Sequence, residues 1–224
     1  GIISDNNNWD QIVTLPRRMT LNGNNNLKIE PVEGVKSLRG TRSHIENIQL
    51  LANKEILFDT ITGNAIELSA IIEQGPSSMV ELNILRSPHK EEFTRICFYN
   101  RRGNKYRVPF PNDPRANRVL STAISTPVSH ESIVSIDTSH SSILPDVLVR
   151  PPESAPVDLG AEENIELRIF VDRSVVEVFV NERQCLSVRV YPGRKDSVGV
   201  SLLSRNQASR LISLDCWQMQ NIYQ

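Results

Sequence analysis

Asp172 and Arg173 stand side by side between two alternating apolar runs, at a point where the chain must turn. A carboxylate that only accepts hydrogen bonds, next to a planar guanidinium that only donates them, is chemistry suited to gripping adjacent sugar hydroxyls. Glu177 follows on the polar side of the next run together with Phe179, a carboxylate and an aromatic plate that fit a furanose ring. Trp217, one of two tryptophans, is a second candidate platform for sugar C–H groups. Each also has a plainer role. Asp172 can accept from turn amides while Arg173 packs or pairs across an interdomain face, Glu177 can be half of a cross-strand ion pair with Arg189, and Trp217 on a last strand can pack in a core. These four are the candidate substrate-binding residues, and no residue is assigned as catalytic.

The other reactive side chains do not assemble on sequence grounds. His44, His89, His130 and His140 are scattered, without i, i+4 spacing or carboxylate company, so no metal and no cofactor is expected. His140 lies between Ser139 and Ser141, but a catalytic triad needs geometry that a serine-rich loop does not supply. Cys97, Cys185 and Cys216 form no CxxC pair and leave an odd thiol, so they read as small buried apolar residues.

The elements that must position the candidates are strands. Ile66, Leu68, Ala70 and Ile72 share one face of residues 65–73, with Glu67, Ser69 and Glu73 on the other. The pattern returns at Val80, Leu82 and Ile84 after a Gly-Pro-Ser-Ser turn, which predicts an antiparallel hairpin. Phe93 to Tyr99 is a further strand, closed by Asn100-Arg101-Arg102-Gly103-Asn104. Downstream, Ile165, Leu167, Ile169 and Val171 alternate with Glu166, Arg168 and Phe170, and Val176, Val178 and Val180 alternate with Glu177 and Phe179. Leu186 to Val190 and Val198 to Leu202 follow in the same rhythm, and Leu211 to Met219 is the last strand. Only Val32 to Arg39 fits a brief helix, and Asp137 to Pro156 reads as a long surface excursion. Repeated short strands without a long 3.6-residue period predict a two-layer antiparallel β-sandwich with little helix.

Composition narrows the partners. Lys plus Arg number 25 and Asp plus Glu 26, and the net charge of −1 gives no field to draw nucleic-acid phosphates or anionic lipid. No nucleic acid is expected, and no apolar stretch approaches the roughly 20 residues of a membrane helix. The compartment is left undecided.

Trp9, Leu15-Pro16-Arg17 with Leu21, Pro31-Val32 leading to Leu38-Arg39, and above all the run from Leu167 through Phe170-Val171-Asp172-Arg173-Ser174 to Asn181 resemble the C-terminal β-sandwich of glycoside hydrolase family 32. These are the invertases, inulinases, levanases and fructan hydrolases. Val188 to Leu202 and Trp217-Gln218-Met219 extend the likeness over most of the chain. The resemblance implies a concanavalin-like sandwich over residues 22–224 and a junction over residues 1–21 leading from an N-terminal five-bladed catalytic propeller, which would be its partner. It implies a fructan or fructose ligand as an alternative role, and a homodimer of the isolated module as a third. Family catalysis uses two carboxylates roughly 5 Å apart, carried by Asn-Asp-Pro-Asn-Gly, Arg-Asp-Pro and Glu-Cys motifs that this sequence lacks. Asn112-Asp113-Pro114 echoes the first but continues Arg115-Ala116, as a type I turn would. Glu182 stands where the family usually has glycine, which predicts a different hairpin turn there.

Overall fold

The structure is a computed structural model that describes residues 12–23, 25–73, 75, 79–105, 129–160 and 162–222. Strands β1 (Arg17–Leu21) and β2 (Leu27–Pro31) form an antiparallel hairpin, followed by a 3-10 helix over Glu33–Leu38. Then come β3 (Arg39–Leu50), β4 (Ile56–Thr62), β5 (Ala65–Glu73), β6 (Met79–Arg86), β7 (Thr94–Lys105), β8 (Ser129–Asp137) and β9 (Glu153–Val157). The C-terminal series is β10 (Ile165–Asp172), β11 (Val175–Val180), β12 (Gln184–Arg189), β13 (Gly199–Arg205) and β14 (Ser209–Met219). One sheet has the order β12-β11-β10-β5-β14-β3 and the other β4-β13-β6-β7-β8-β9, with every pairing between these strands antiparallel. The expected sandwich is therefore present.

Period-2 alternation places the core between the sheets. Leu68, Ile169 and Val178 come from the first sheet and Leu82, Ile96, Ile136 and Leu202 from the second, all buried. Val176 and Val180 point inward beside Val178, as the alternation predicts. Burying each such side chain is worth about 1.5–3 kcal/mol.

A second, smaller cluster lies on the outside of the first sheet. Phe170 and Phe179 face outward, as predicted, but they are buried there in an edge-to-face pair with centroids 6.0 Å apart. The N-terminal arm, the β1-β2 hairpin and the 3-10 helix with its preceding residue cover them with Leu15, Ile29, Val35 and Val32. This sheet is thus apolar on part of both faces, which a strictly polar outer side would not explain.

One local expectation changes. The residues from Asn100 to Asn104 do not end their strand; β7 runs on to Lys105 through a register shift between Tyr99 and Gly103. A bulge absorbs the turn-type residues, and a Cβ at Gly103 would come within 2.6 Å of Ile133 Cδ1. The Val198 to Leu202 run lies in the second sheet as part of β13, which pairs with β4 and β6. Asn181 and Glu182 at the β11-β12 turn have φ of 46° and 53°, both in the left-handed region, and Arg183 N–H donates to Val180 O at 2.9 Å, so the turn adopts positive φ without glycine. Ile29 N–H donates to Glu182 O and Lys28 pairs with its carboxylate, which holds the turn against β2.

Candidate functional site

Register aligns one row of outward side chains across the whole first sheet. Ser187 faces Glu177, Glu177 faces Phe170, Phe170 faces Glu67, Glu67 faces Trp217, and Trp217 faces Arg42. Two of the four candidates, Glu177 and Trp217, therefore lie in one line but three strand spacings apart, about 14 Å. That separation is too wide for a single sugar ring.

Glu177 is 2% exposed. Its carboxylate accepts the Leu15 backbone N–H at 2.7 Å, Arg17 Nη2 at 2.9 Å and the Ser187 hydroxyl at 3.2 Å. The anticipated partner was Arg189, across the strand; the actual one is Arg17, which lies above the sheet and also donates to Ser187. Arg189 belongs to β12 but stacks over Tyr191, its guanidinium carbon 5.4 Å from the ring. Glu177 is thus the clasp that ties the N-terminal arm, Leu15 to Arg17, onto the sandwich.

Glu67 is the second buried carboxylate of the row, at 0% exposure. Arg39 grips it with Nε at 2.8 Å and Nη2 at 2.7 Å, and Arg168 donates Nε at 2.5 Å. The hydrogen bonds to Glu67 raise the Arg39 pKa above its already high usual value. Arg39 lies flat on Trp217, its guanidinium carbon 3.7 Å from the ring centroid. Trp217 is half-buried on the outer face and not in the core, and Arg39 covers one side of the platform it was expected to offer. Alternation places Glu67 on the outer face but cannot show that arginines from β3 and β10 converge on it.

Asp172 and Arg173 occupy the exposed tip of the β10-β11 hairpin. Arg173 has φ of 52°, and its backbone N–H donates to Asn64 O at 2.6 Å. Among the described residues, neither side chain has a hydrogen-bond or ion-pair partner. They are separate from Glu177, which the N-terminal arm covers.

The outside of the second sheet carries another ionic network. Glu81, 1% exposed, accepts Arg205 Nη2 at 2.8 Å. Glu55 is partly buried, which by itself raises its pKa, but Ser201, Arg86 and Lys90 outweigh this and hold it down at about 2. His44 does have carboxylate company, since Nδ1 is 2.7 Å from Asp215 Oδ1, which Arg42 Nε also contacts. Among the described residues no group of three His, Cys, Asp or Glu side chains is placed to hold a metal. Burial pushes the Cys97 thiol up to about 12 and the Cys185 and Cys216 thiols to about 11, so none is a ready nucleophile. Trp9 and Asn112-Asp113-Pro114 lie outside the described residues.

With this geometry in place, comparison with known proteins gives a consistent answer. The family model described as the C-terminal region of glycosyl hydrolases family 32 matches residues 34–218. The chain is 24% identical over 219 residues to levanase of Bacillus subtilis, covering 96% of this chain and 28% of that protein. It is 26% identical over 253 residues to vacuolar acid beta-fructofuranosidase 4 of Arabidopsis thaliana, covering 96% of this chain and 34% of that one. It therefore spans about a third of the length of the relatives it matches. In fold it is similar to fructan 1-exohydrolase IIa of Cichorium intybus, with a TM-score of 0.74 and 16% identity over 93% of this chain and 41% of that one. An exo-inulinase of Aspergillus awamori gives a TM-score of 0.65 at 17% identity over 93% of this chain and 36% of that one.

Proposed function

The chain belongs to glycosyl hydrolase family 32, of which it is the C-terminal domain, and on that premise we propose that it is a non-catalytic module supporting an N-terminal catalytic propeller. The parent enzyme in this reading is of the β-fructofuranosidase type and hydrolyses β-fructosidic bonds in sucrose or fructans. The observation that carries the reading is the family match itself, which falls on the C-terminal region and on residues 34–218. The architecture supports it. Residues 1–21 act as the junction and residues 22–224 as the module, and the Glu177 clasp on Leu15 and Arg17 fixes the direction in which the junction leaves the sandwich.

The carboxylates support a structural role. A retaining glycosidase needs one carboxylate free to attack and one carboxylic acid free to protonate, roughly 5 Å apart. Glu67 and Glu177, the buried pair of the outer row, are each held by arginine and occupied on both oxygens. The chain alone is expected to release no fructose from sucrose, inulin or levan above a buffer blank. Turnover abolished by Asp113→Asn would overturn this.

A second reading, fructan binding, draws on the exposed Asp172 and Arg173 at the hairpin tip, whose donors and acceptor face solvent. In it these two residues alone grip the hydroxyls of a terminal fructose unit, because Glu177 is covered by the N-terminal arm and Trp217 by Arg39. Weak binding is expected, with a dissociation constant on the order of 0.1–1 mM, because each hydrogen bond replaces one to water. Calorimetry with levan oligosaccharides on the wild type and on Asp172→Ala decides it. Equal heats from both proteins, or none from either, return these residues to a turn-forming role.

A further inference from the structure

The β1-β2 hairpin closes through residues 22–26, beyond its last register pair, Leu21 and Leu27. Asn22 and Gly23 stand at the start of that loop, both exposed. Of all the asparagines in the sequence, Asn22 alone precedes a glycine. An asparagine carboxamide and the backbone nitrogen of the next residue can close a five-membered ring, a step that a following side chain hinders by its bulk and by restricting the backbone. Glycine presents neither obstacle. The space around Gly23 is also open, since even an added Cβ would meet nothing within 4 Å.

The hydrogen bonds of the loop leave the nucleophile open and prepare the electrophile. Asn22 N–H donates to Asn26 O at 2.9 Å and Asn25 N–H donates to Asn22 O at 2.9 Å, whereas Gly23 N–H has no acceptor among the described residues. Asn26 N–H donates to Asn22 Oδ1 at 3.0 Å. That bond draws electron density away from Cγ, and it strengthens when Oδ1 takes on negative charge during attack. Asn181, at the β11-β12 turn, shows the opposite case. Its carboxamide accepts the Glu166 N–H at 3.0 Å and donates to Asn164 O at 2.8 Å, and a glutamate follows it.

We propose that Asn22 is a site of spontaneous covalent modification, deamidating through a succinimide formed with the backbone nitrogen of Gly23. That nitrogen gives its proton to hydroxide and forms a bond to Asn22 Cγ. The Cγ–Nδ2 bond breaks, and Nδ2 leaves as ammonia with a proton taken from water. Water then opens the ring: cleavage of the new bond gives aspartate, and cleavage of the original peptide bond gives isoaspartate. Nothing is oxidised or reduced, and each event makes the net charge of −1 more negative by one. Isoaspartate adds one carbon to the main chain, so the bonds from Asn25 and Asn26 N–H to residue 22 are lost. The far end of the hairpin is held independently, by Ile29 N–H on Glu182 O, so the cover over Phe170 and Phe179 stays in place.

The test is incubation of the chain at mildly alkaline pH, followed over time by tryptic mapping with mass-spectrometric fragmentation of the peptide from Met19 to Lys28. Conversion at Asn22 is expected to run at least about 10-fold faster than at any other asparagine and to quicken as pH rises. Gly23→Ala is expected to slow it at least about 10-fold. The open surroundings of Gly23 let that variant keep the fold, which an unchanged melting temperature verifies. A synthetic peptide of residues 19–28 supplies the rate of the unconstrained segment, and the folded chain is expected to lie within about 10-fold of it. A folded chain slower than that shows that the loop protects Asn22 and overturns the proposal. Conversion at Asn53, Asn64 or Asn206 at a comparable rate overturns it too, as does a rate at Asn22 that Gly23→Ala leaves unchanged.

Discussion

Replacing Glu67 with glutamine removes one charge from the centre of the outer row while keeping its volume. Three charge-assisted bonds converge on that carboxylate, two from Arg39 and one from Arg168. The amide can still accept on one oxygen, but its NH₂ group then points at a guanidinium. Removing one partner of a buried ion pair costs about 3–5 kcal/mol. Arg39 and Arg168 keep 21% and 22% side-chain exposure, so solvent takes up part of the released charge, and about 2–4 kcal/mol is a fair expectation. Arg168 Nη2 already lacks a partner among the described residues, so the variant leaves this arginine with even fewer acceptors. Urea unfolding of Glu67→Gln, Arg39→Met and the double variant measures the coupling, which should exceed about 1 kcal/mol. A spectroscopic readout runs in parallel. In a Trp9→Phe background the remaining indole, Trp217, should shift its emission to the red once Arg39 no longer lies over it. A Glu67→Gln midpoint unchanged within about 0.5 kcal/mol, with unshifted emission, would refute a buried, interlocked row.

The other predictions concern the clasp, the hairpin and pH. Glu177→Gln should cost about 1–3 kcal/mol and speed tryptic cleavage after Arg17 and Arg18, since the arm loses its acceptor; unchanged cleavage would show that the arm is held by its apolar contacts alone. Glu182→Gly should stabilise the chain by about 0.5–1 kcal/mol, because glycine adopts positive φ without strain and the exposed pair with Lys28 is worth little; a lower melting temperature would contradict this. The Glu55 pKa is about 2 when folded, below its unfolded value near 4.5, so its contribution is complete above about pH 4.5 and is lost as pH falls toward 2. A shift of that size corresponds to at most about 3 kcal/mol, and Glu55→Gln should flatten the stability curve across that window, as denaturant titrations at several pH values would show.

The inner faces of the strands were legible because burial imposes a period of two. Leu68, Ile169 and Val178 could each be assigned inward from their own neighbours alone. The outer row was not legible, because it joins residues 42, 67, 170, 177, 187 and 217 through register, and register is decided by the assembled sheets. For the same reason Arg17 was missed as the partner of Glu177: they are 160 positions apart in sequence. Strand β3 carries Arg42, His44 and Glu46 on a sheet edge, where charge protects against further pairing but erases the apolar alternation that marks a strand. The cover over Phe170 and Phe179 comes from a hairpin whose residues 18–21 are all exposed, so composition gave little sign that it packs on a sheet.

The role proposed for this chain is to support a catalytic domain without performing the chemistry. The direct measurement is thermal inactivation of the full polypeptide, wild type against Glu177→Gln, with fructose release from sucrose as readout. If the clasp and the module buttress the propeller, the variant keeps its initial rate within about 2-fold and loses activity several-fold faster on heating, by the rate arithmetic of about 1 kcal/mol or more. An initial rate that falls by orders of magnitude at unchanged heat resistance would instead place Glu177 in the chemistry and contradict the account.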